Sequence, residues 1–373
     1  MSGAIKRVMR EVIRGEWFLA VSLLTSLSFF LFDDALLGGL DNSSWLGAVF
    51  LWLFAVVLWS ALAVVRHADC LAAKLGEPYG TLILTLSAIA IEVMMIATMM
   101  LHGANNPTLA RDTMFAVVMI LLNGMVGLSL LLGGLRHREQ QYNLQGANAY
   151  LSVIIPLAVL GLILPNFTIS TEGPTLSPSQ EAFLILMSVG LYGSFLAIQT
   201  VRHQGFFMLK DEGGEGRREP QVLRSTVFHA TMLMAYLLPV VYLAEKLALP
   251  IDYGIERLRA PMALGGVVVA ILVATPESIG AVRAALDNRL QRSVNILLGS
   301  VLSTIGLTIP AVLAVSLATG KPILLGLEHA DFVMLLLSLA VSVVTFASGR
   351  TNILQGMVHL LLFLAYLMFI FAR

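Results

Sequence analysis

Runs of about twenty apolar residues recur from one end of this chain to the other, and nothing in it constrains the fold more. A helix of that length crosses the roughly 30 Å hydrocarbon core of a bilayer and satisfies its own backbone hydrogen bonds there. Eleven such runs are read, at roughly 17–32, 45–65, 78–101, 113–134, 149–165, 181–201, 226–248, 261–282, 293–318, 331–348 and 352–372. Of 373 residues, 58% are hydrophobic and 12% charged, about half the charge of a soluble domain. The expected fold is an all-α polytopic membrane protein of eleven transmembrane helices, set in a lipid bilayer. A formal net charge of +0 offers no surface to nucleic acid. The single cysteine, Cys70, cannot form an internal disulfide, and no Cys/His spacing suggests a resident metal or another cofactor. The basic N-terminus leads into an apolar stretch without a small-residue cleavage site, so it reads as a retained first helix rather than a signal peptide.

The basic residues orient these spans. With the N-terminus cytoplasmic, only Arg111, Lys246, Arg257, Arg259, Lys321 and Arg373 fall outside, and the other 17 of the 23 lysines and arginines lie inside. The C-terminus is then external. The longest polar interruption, around 201–224, mixes charges with glycines as a solvated linker does.

Setting the first helix aside leaves two sets of five spans, and the sets resemble one another. The second helix of each carries one glutamate deep in apolar sequence, Glu92 in LSAIAIEVMMIA and Glu277 in VATPESIGAV. The next helices align as MILLNGMVGLSL (119–130) over NILLGSVLSTIG (295–306), which places Asn123 over Gly299, Gly124 over Ser300 and Gly127 over Ser303. A repeat of five helices must cross the membrane in opposite senses in its two copies. The expected organisation is a tail and peripheral helix at 1–40, repeat 1 at 41–201, a cytoplasmic linker at 202–225 and an inverted repeat 2 at 226–373. Secondary transporters are built this way, with their site at the repeat interface.

A carboxylate in hydrocarbon is costly and functional by default. Burial and mutual repulsion favour protons on two such groups, whereas a cation favours their ionised forms. A site that holds one or the other, open alternately to each side, is an exchanger, and Glu92 and Glu277 are its expected metal and proton ligands. Supporting oxygens are sought nearby. Pro276 has no N–H, so the carbonyl of Leu272 loses its helical partner. Thr275 adds a hydroxyl. Thr81, Thr85 and Ala88 share a helical stripe with Glu92. Asn123, Ser300, Ser303 and Thr304 lie on the adjoining helices, where Gly124, Gly127, Gly299 and Gly306 permit close approach. An intramembrane Ser or Thr often bonds its own i−4 carbonyl, so Ser300, Ser303 and Thr304 fit packing as well as ligation. His229 and His359 fall within spans and read as hydrogen-bonded packing residues. Arg350, Thr351 and Asn352 read as the anchor of a helix end.

VVRHADCLAAKLGEPYGTLILTLS (64–87), RDTMFAVVMILLNGMVGLSLLLGG (111–134), TPESIGAVRAALDNRLQRSVNILLGSVLSTIGLTIP (275–310) and GRTNILQGMVHLLLFLAYLMFIF (349–371) resemble the bacterial ChaA-type calcium/cation–proton antiporters, in the CAX branch of the calcium/cation exchanger superfamily. The resemblance spans almost the whole chain. It implies eleven helices with two inverted repeats in the cytoplasmic membrane of a bacterium. It also implies export of Ca2+, with Na+ or K+ as alternative cargo, against inward proton flow, and carries that family's central glutamates onto Glu92 and Glu277. One departure bears on cargo: many members have Gly-Asn ahead of each glutamate, where this chain has Ala88-Ile89 and Val273-Ala274. A monovalent antiporter with little Ca2+ transport is therefore the runner-up. A channel fits less well, because two unequal glutamates do not form a symmetric charged ring. An enzyme fits least, since the spans hold no HExxH, Ser/His or paired-Asp arrangement. A homo-oligomer is compatible with all of this.

Overall fold

The computed structural model describes residues 15–76, 79–102, 106–171, 173–209, 224–320 and 323–371. The basic N-terminal tail, Pro78, most of the 202–225 linker and the last two residues lie outside that set. Among the described residues, nine helices are long and apolar enough to cross a membrane. They are α2 (Ser43–Leu75), α3 (Tyr79–His102), α4 (Leu109–His137), α5 (Leu144–Phe167), α6 (Pro178–Arg202), α7 (Thr226–Leu258), α8 (Ala263–Leu286), α9 (Leu290–Thr319) and α11 (Ile353–Ile370). Two shorter apolar helices, α1 (Trp17–Leu31) and α10 (His329–Thr345), complete the set. The one ladder, β1 (Gln140–Gln141) against β2 (Arg350–Thr351), is antiparallel and pairs Gln140 with Thr351. Asn352 then caps α11, accepting from the Gln355 N–H while Gln355 reaches back to the Asn352 N–H.

α2 and α7 run to 33 residues each, well past the apolar windows in their sequences. Polar side chains find partners along both: near the end of α7, Arg257 donates to the Asp41 carbonyl. His67 and Arg66 on α2, and His229 and Tyr236 on α7, gather around Glu16 at the start of α1. Arg66 Nη2 lies 2.6 Å from Glu16 Oε2, the Tyr236 hydroxyl donates to the same oxygen over 3.0 Å, and His67 Nε2 is 3.4 Å away. The two histidines meet Nδ1 to Nδ1 at 3.0 Å. Burial by itself would raise Glu16, but the hydrogen bond with His67 and the Arg66 guanidinium outweigh it and hold the carboxyl below its ordinary value. Deeper, Ser22 and Ser60 share a hydrogen bond of 2.8 Å, and at the far end Lys246 pairs with Asp33 at 2.9 Å. The first helix is peripheral, yet it is pinned at three depths.

α4 and α9 are the most buried spans, and α8 packs along both. Glycines set these distances. A Cβ on Gly266 of α8 would meet the Thr113 amide of α4 at 2.7 Å. A Cβ on Gly356 of α11 would meet the Leu131 amide at 2.6 Å, and one on Gly127 would meet Leu360 at 2.8 Å. Gly124 faces the Phe363 ring across the same crossing, and Gly306 faces Tyr192 of α6.

The backbone irregularity falls elsewhere than the proline predicts. α8 is continuous through Pro276, with Leu272 wholly buried. The Thr275 hydroxyl donates to the Ile271 carbonyl over 2.5 Å and the Ser278 hydroxyl to the Ala274 carbonyl over 2.6 Å, so side chains brace the turn that the proline weakens. Instead, α4 and α9 each contain a π-helical turn, at Ile120–Met125 and Thr304–Thr308. Such turns concentrate at functional sites.

Candidate cation-exchange site

Glu92 of α3 and Glu277 of α8 both reach α9. Ser300 and Thr304 stand four residues apart on that helix, on one face and a turn apart. The Ser300 hydroxyl donates to Glu277 Oε2. The Thr304 hydroxyl donates to Glu92 Oε2 over 3.1 Å. One turn further, Thr308 Oγ1 faces the Glu92 carboxylate without reaching hydrogen-bond geometry. Thr308 Oγ1 and Glu92 Oε1 are both buried without a hydrogen-bond partner among the described residues. Two adjacent unpaired oxygens in a sealed core are costly unless something bridges them, a proton or a cation.

The two carboxylates differ in access. Glu92 is 3% exposed. Glu277 is half-buried and lines a cavity of about 230 Å³, whose wall also includes Thr81, Thr85, Gly299, Ser300 and Ser303. Three aromatic residues, Tyr150, Tyr192 and Phe195, also line it, and Gln199 donates to the Tyr150 hydroxyl over 2.9 Å. Arg292 and Asn295, on the first turns of α9, complete the lining.

The expected supporting set divides. Thr85, Gly299, Ser300 and Ser303 line the cavity, and Ser303 donates to the Ser300 carbonyl over 2.9 Å. Ala88 is half-buried on the α3 stripe between Thr85 and Glu92. Thr275 lies on the opposite face of α8, beside an apolar groove shared with Ile120 and Phe363, and its hydroxyl is spent on its own helix. Asn123 is directed away from both glutamates. Its amide donates to Ser338 over 2.7 Å, and its carbonyl faces His359 Nδ1 at 3.2 Å. His359 Nε2 in turn meets the Thr345 hydroxyl at 2.9 Å. The Asn123 oxygen can only accept, so Nδ1 carries the proton and Nε2 accepts from Thr345. Every member of that chain is satisfied, which makes it packing rather than ligation. Sequence reasoning missed Thr308, the tyrosines and Arg292. The i, i+4, i+8 series Ser300, Thr304, Thr308 is the signal that could have found the first.

A multi-pass helical bundle with one glutamate buried among its helices and a second on the wall of a cavity has the build of a membrane transporter. The chain belongs to the sodium/calcium exchanger protein family, which matches residues 45–201 and 226–372. It is 44% identical to a putative ionic transporter, y4hA, of Sinorhizobium fredii, over 86% of this chain and 88% of that one. It is 40% identical to the sodium-potassium/proton antiporter ChaA of Escherichia coli, over 85% and 87%. It is 22% identical to the Ca(2+)/H(+) antiporter ChaA of Bacillus subtilis, over 82% and 87%. Among solved structures it shares the fold of native YfkE, with a TM-score of 0.73 at 18% identity over 95% of this chain and 99% of that one.

Proposed function

We propose that this protein is a cation/proton antiporter whose cargo and protons compete for Glu92 and Glu277. The observation that carries this reading is the hanging of both carboxylates on adjacent turns of α9, through Thr304 and Ser300, with Glu92 sealed and Glu277 on the wall of a cavity. A cation arriving through the cavity meets Glu277 first and displaces its proton. Glu92, with Thr304 and the unpaired Thr308 hydroxyl, holds the deeper position.

Eleven spans, counting α1 and α10, put the N-terminus in the cytoplasm and the C-terminus outside. The arrangement is two inverted repeats, 41–201 and 226–373, joined by a cytoplasmic linker at 202–225. Support comes from the separate family matches to the two halves. On that topology the cavity opens to the cytoplasm, because Arg202 and Arg289 flank its mouth in sequence.

The cargo follows from the oxygens on hand. Ca2+ takes 6–8 oxygen ligands. With Asn123 and Thr275 engaged elsewhere, two carboxylates and a few hydroxyls remain, to be supplemented by water. That lean set moves the balance from Ca2+ toward Na+ and K+, and the sodium-potassium/proton antiporter of Escherichia coli, a relative at 40% identity, points the same way. Ca2+ remains a cargo, with lower relative preference.

The test is flux in inside-out vesicles carrying an imposed proton gradient. Addition of Na+, K+ or Ca2+ should collapse the gradient, and no response to any of them rejects antiport. Glu92→Gln and Glu277→Gln should each abolish coupled flux while the protein still inserts, and normal exchange in either removes that residue from the site.

A further inference from the structure

The cavity lined by Glu277 contains a feature foreign to a cation pathway. Its described wall has two charged residues, the half-buried Glu277 and the exposed Arg292. Arg292 is exposed, and no ion pair holds it among the described residues. One face of α9 runs the length of the cavity: Arg292 on the first turn, then Asn295, Gly299 and Ser300, with Ser300 bonded to Glu277. Eight residues separate Arg292 from Ser300, about 12 Å along the helix. In open water at physiological ionic strength a charge is screened beyond about 8 Å. Inside a narrow cleft with low-dielectric walls, field lines are focused and reach further.

We infer that Arg292 is a valence filter: its fixed positive charge in the cavity raises the cost of a divalent cation reaching Glu277 by twice the cost for a monovalent one. The energy of a cation in the guanidinium's potential is proportional to its charge. Binding constants depend exponentially on that energy, so the penalty factor for Ca2+ is the square of the factor for Na+ or K+. The inference deepens the antiport reading and rests on it. It assigns cargo selectivity to a residue that ligates nothing, which separates selectivity from the carboxylates that perform exchange. A basic residue at this position also serves the inside-positive charge bias, and any cation on a cytoplasmic loop would do that equally well. What distinguishes Arg292 is its place on the cavity wall.

The experiment measures KM for Na+, K+ and Ca2+ at the cytoplasmic face, using inside-out vesicles of wild type, Arg292→Gln and Arg292→Lys. The assay is run at a pH high enough that KM no longer changes with pH, so that proton competition drops out. The wild type reports on the parent reading by itself: absence of cation-driven proton flux there rejects antiport, whatever the variants do. With wild-type exchange established, Arg292→Gln should lower KM for Na+ and K+ about threefold and for Ca2+ about tenfold. Arg292→Lys should retain wild-type values. The difference should shrink as choline chloride raises the ionic strength. Equal changes for both valences, no change in either, or a Lys variant that behaves as the Gln variant would overturn the filter. A purely structural role would change maximal rate or shift all three cations alike.

Discussion

Glu92 and Glu277 occupy matched places in the sequence yet meet unequal surroundings. One is sealed beside Thr304 and the unpaired Thr308 hydroxyl, and the other lines a cavity with Ser300 bonded to it. A hydrogen bond to a charged group contributes about 1.5–3 kcal/mol. Ser300→Ala should therefore weaken cation binding about tenfold or more, read as a raised KM with the protein still folded, and an unchanged KM would make Ser300 packing surface. The glutamates were legible in sequence because a carboxylate among apolar residues has few bland explanations. Their partners were harder to read. The π turn at Thr304–Thr308 inserts a residue into the helical count and re-phases every later side chain by about 100°. Spacing named Ser300 and Thr304, and one further four-residue step reaches Thr308, the last residue before that re-phasing. Asn123 lies within the π turn of α4, and its partner His359 is 236 residues away, beyond any local pattern.

At the scale of elements, sequence marked where helices lie and misjudged how they end and bend. Hydropathy stops where charges begin, so it clipped α2 and α7: the polar end of α2 continues where Arg66 and His67 meet Glu16, and that of α7 where Arg257 donates to the Asp41 carbonyl. Glu16 has a depressed folded-state value, so the attachment it makes is present above its unfolded value and is lost as pH falls through the folded one. Acidification into the low carboxylate range should loosen α1. Hydrogen exchange over residues 17–31, corrected for intrinsic rates, should rise there, and Glu16→Gln should raise it at neutral pH and flatten the profile. Matching profiles in the two proteins would dismiss this anchor. The crossing of α4 and α11 is stiffer. Since a Cβ on Gly356 would meet the Leu131 amide at 2.6 Å, Gly356→Val should cost about 1–3 kcal/mol through overpacking. A lowered melting temperature in detergent is the readout, and wild-type stability would mean that the crossing yields.

For the whole molecule, the prediction concerns which side the cavity faces. Cys70 is the one native cysteine, so replacing it by alanine leaves a background for labelling. In that background Asn295→Cys, on the cavity wall, should react with a membrane-impermeant maleimide in inside-out vesicles and resist it in right-side-out ones. The reverse pattern would invert the proposed topology. A cation that binds at Glu277 should slow the reaction. Charge distribution alone was enough to propose an orientation, because lysines and arginines sort to one side. It could not say which side stands open, since that depends on how the helices lean together rather than on any one of them.

Hanging both carboxylates on α9 has a consequence in circuit language. On the proposed reading the deep and shallow positions would be wired in series through one rod, and an ion would reach Glu92 only after passing Glu277. Any axial slide of α9 moves both contacts together. Two independent switches in parallel would let a proton slip through whenever either closed. A single rod carrying both contacts makes them switch together, and a membrane that stores its energy as a proton gradient is protected from a short circuit at the protein that draws on it.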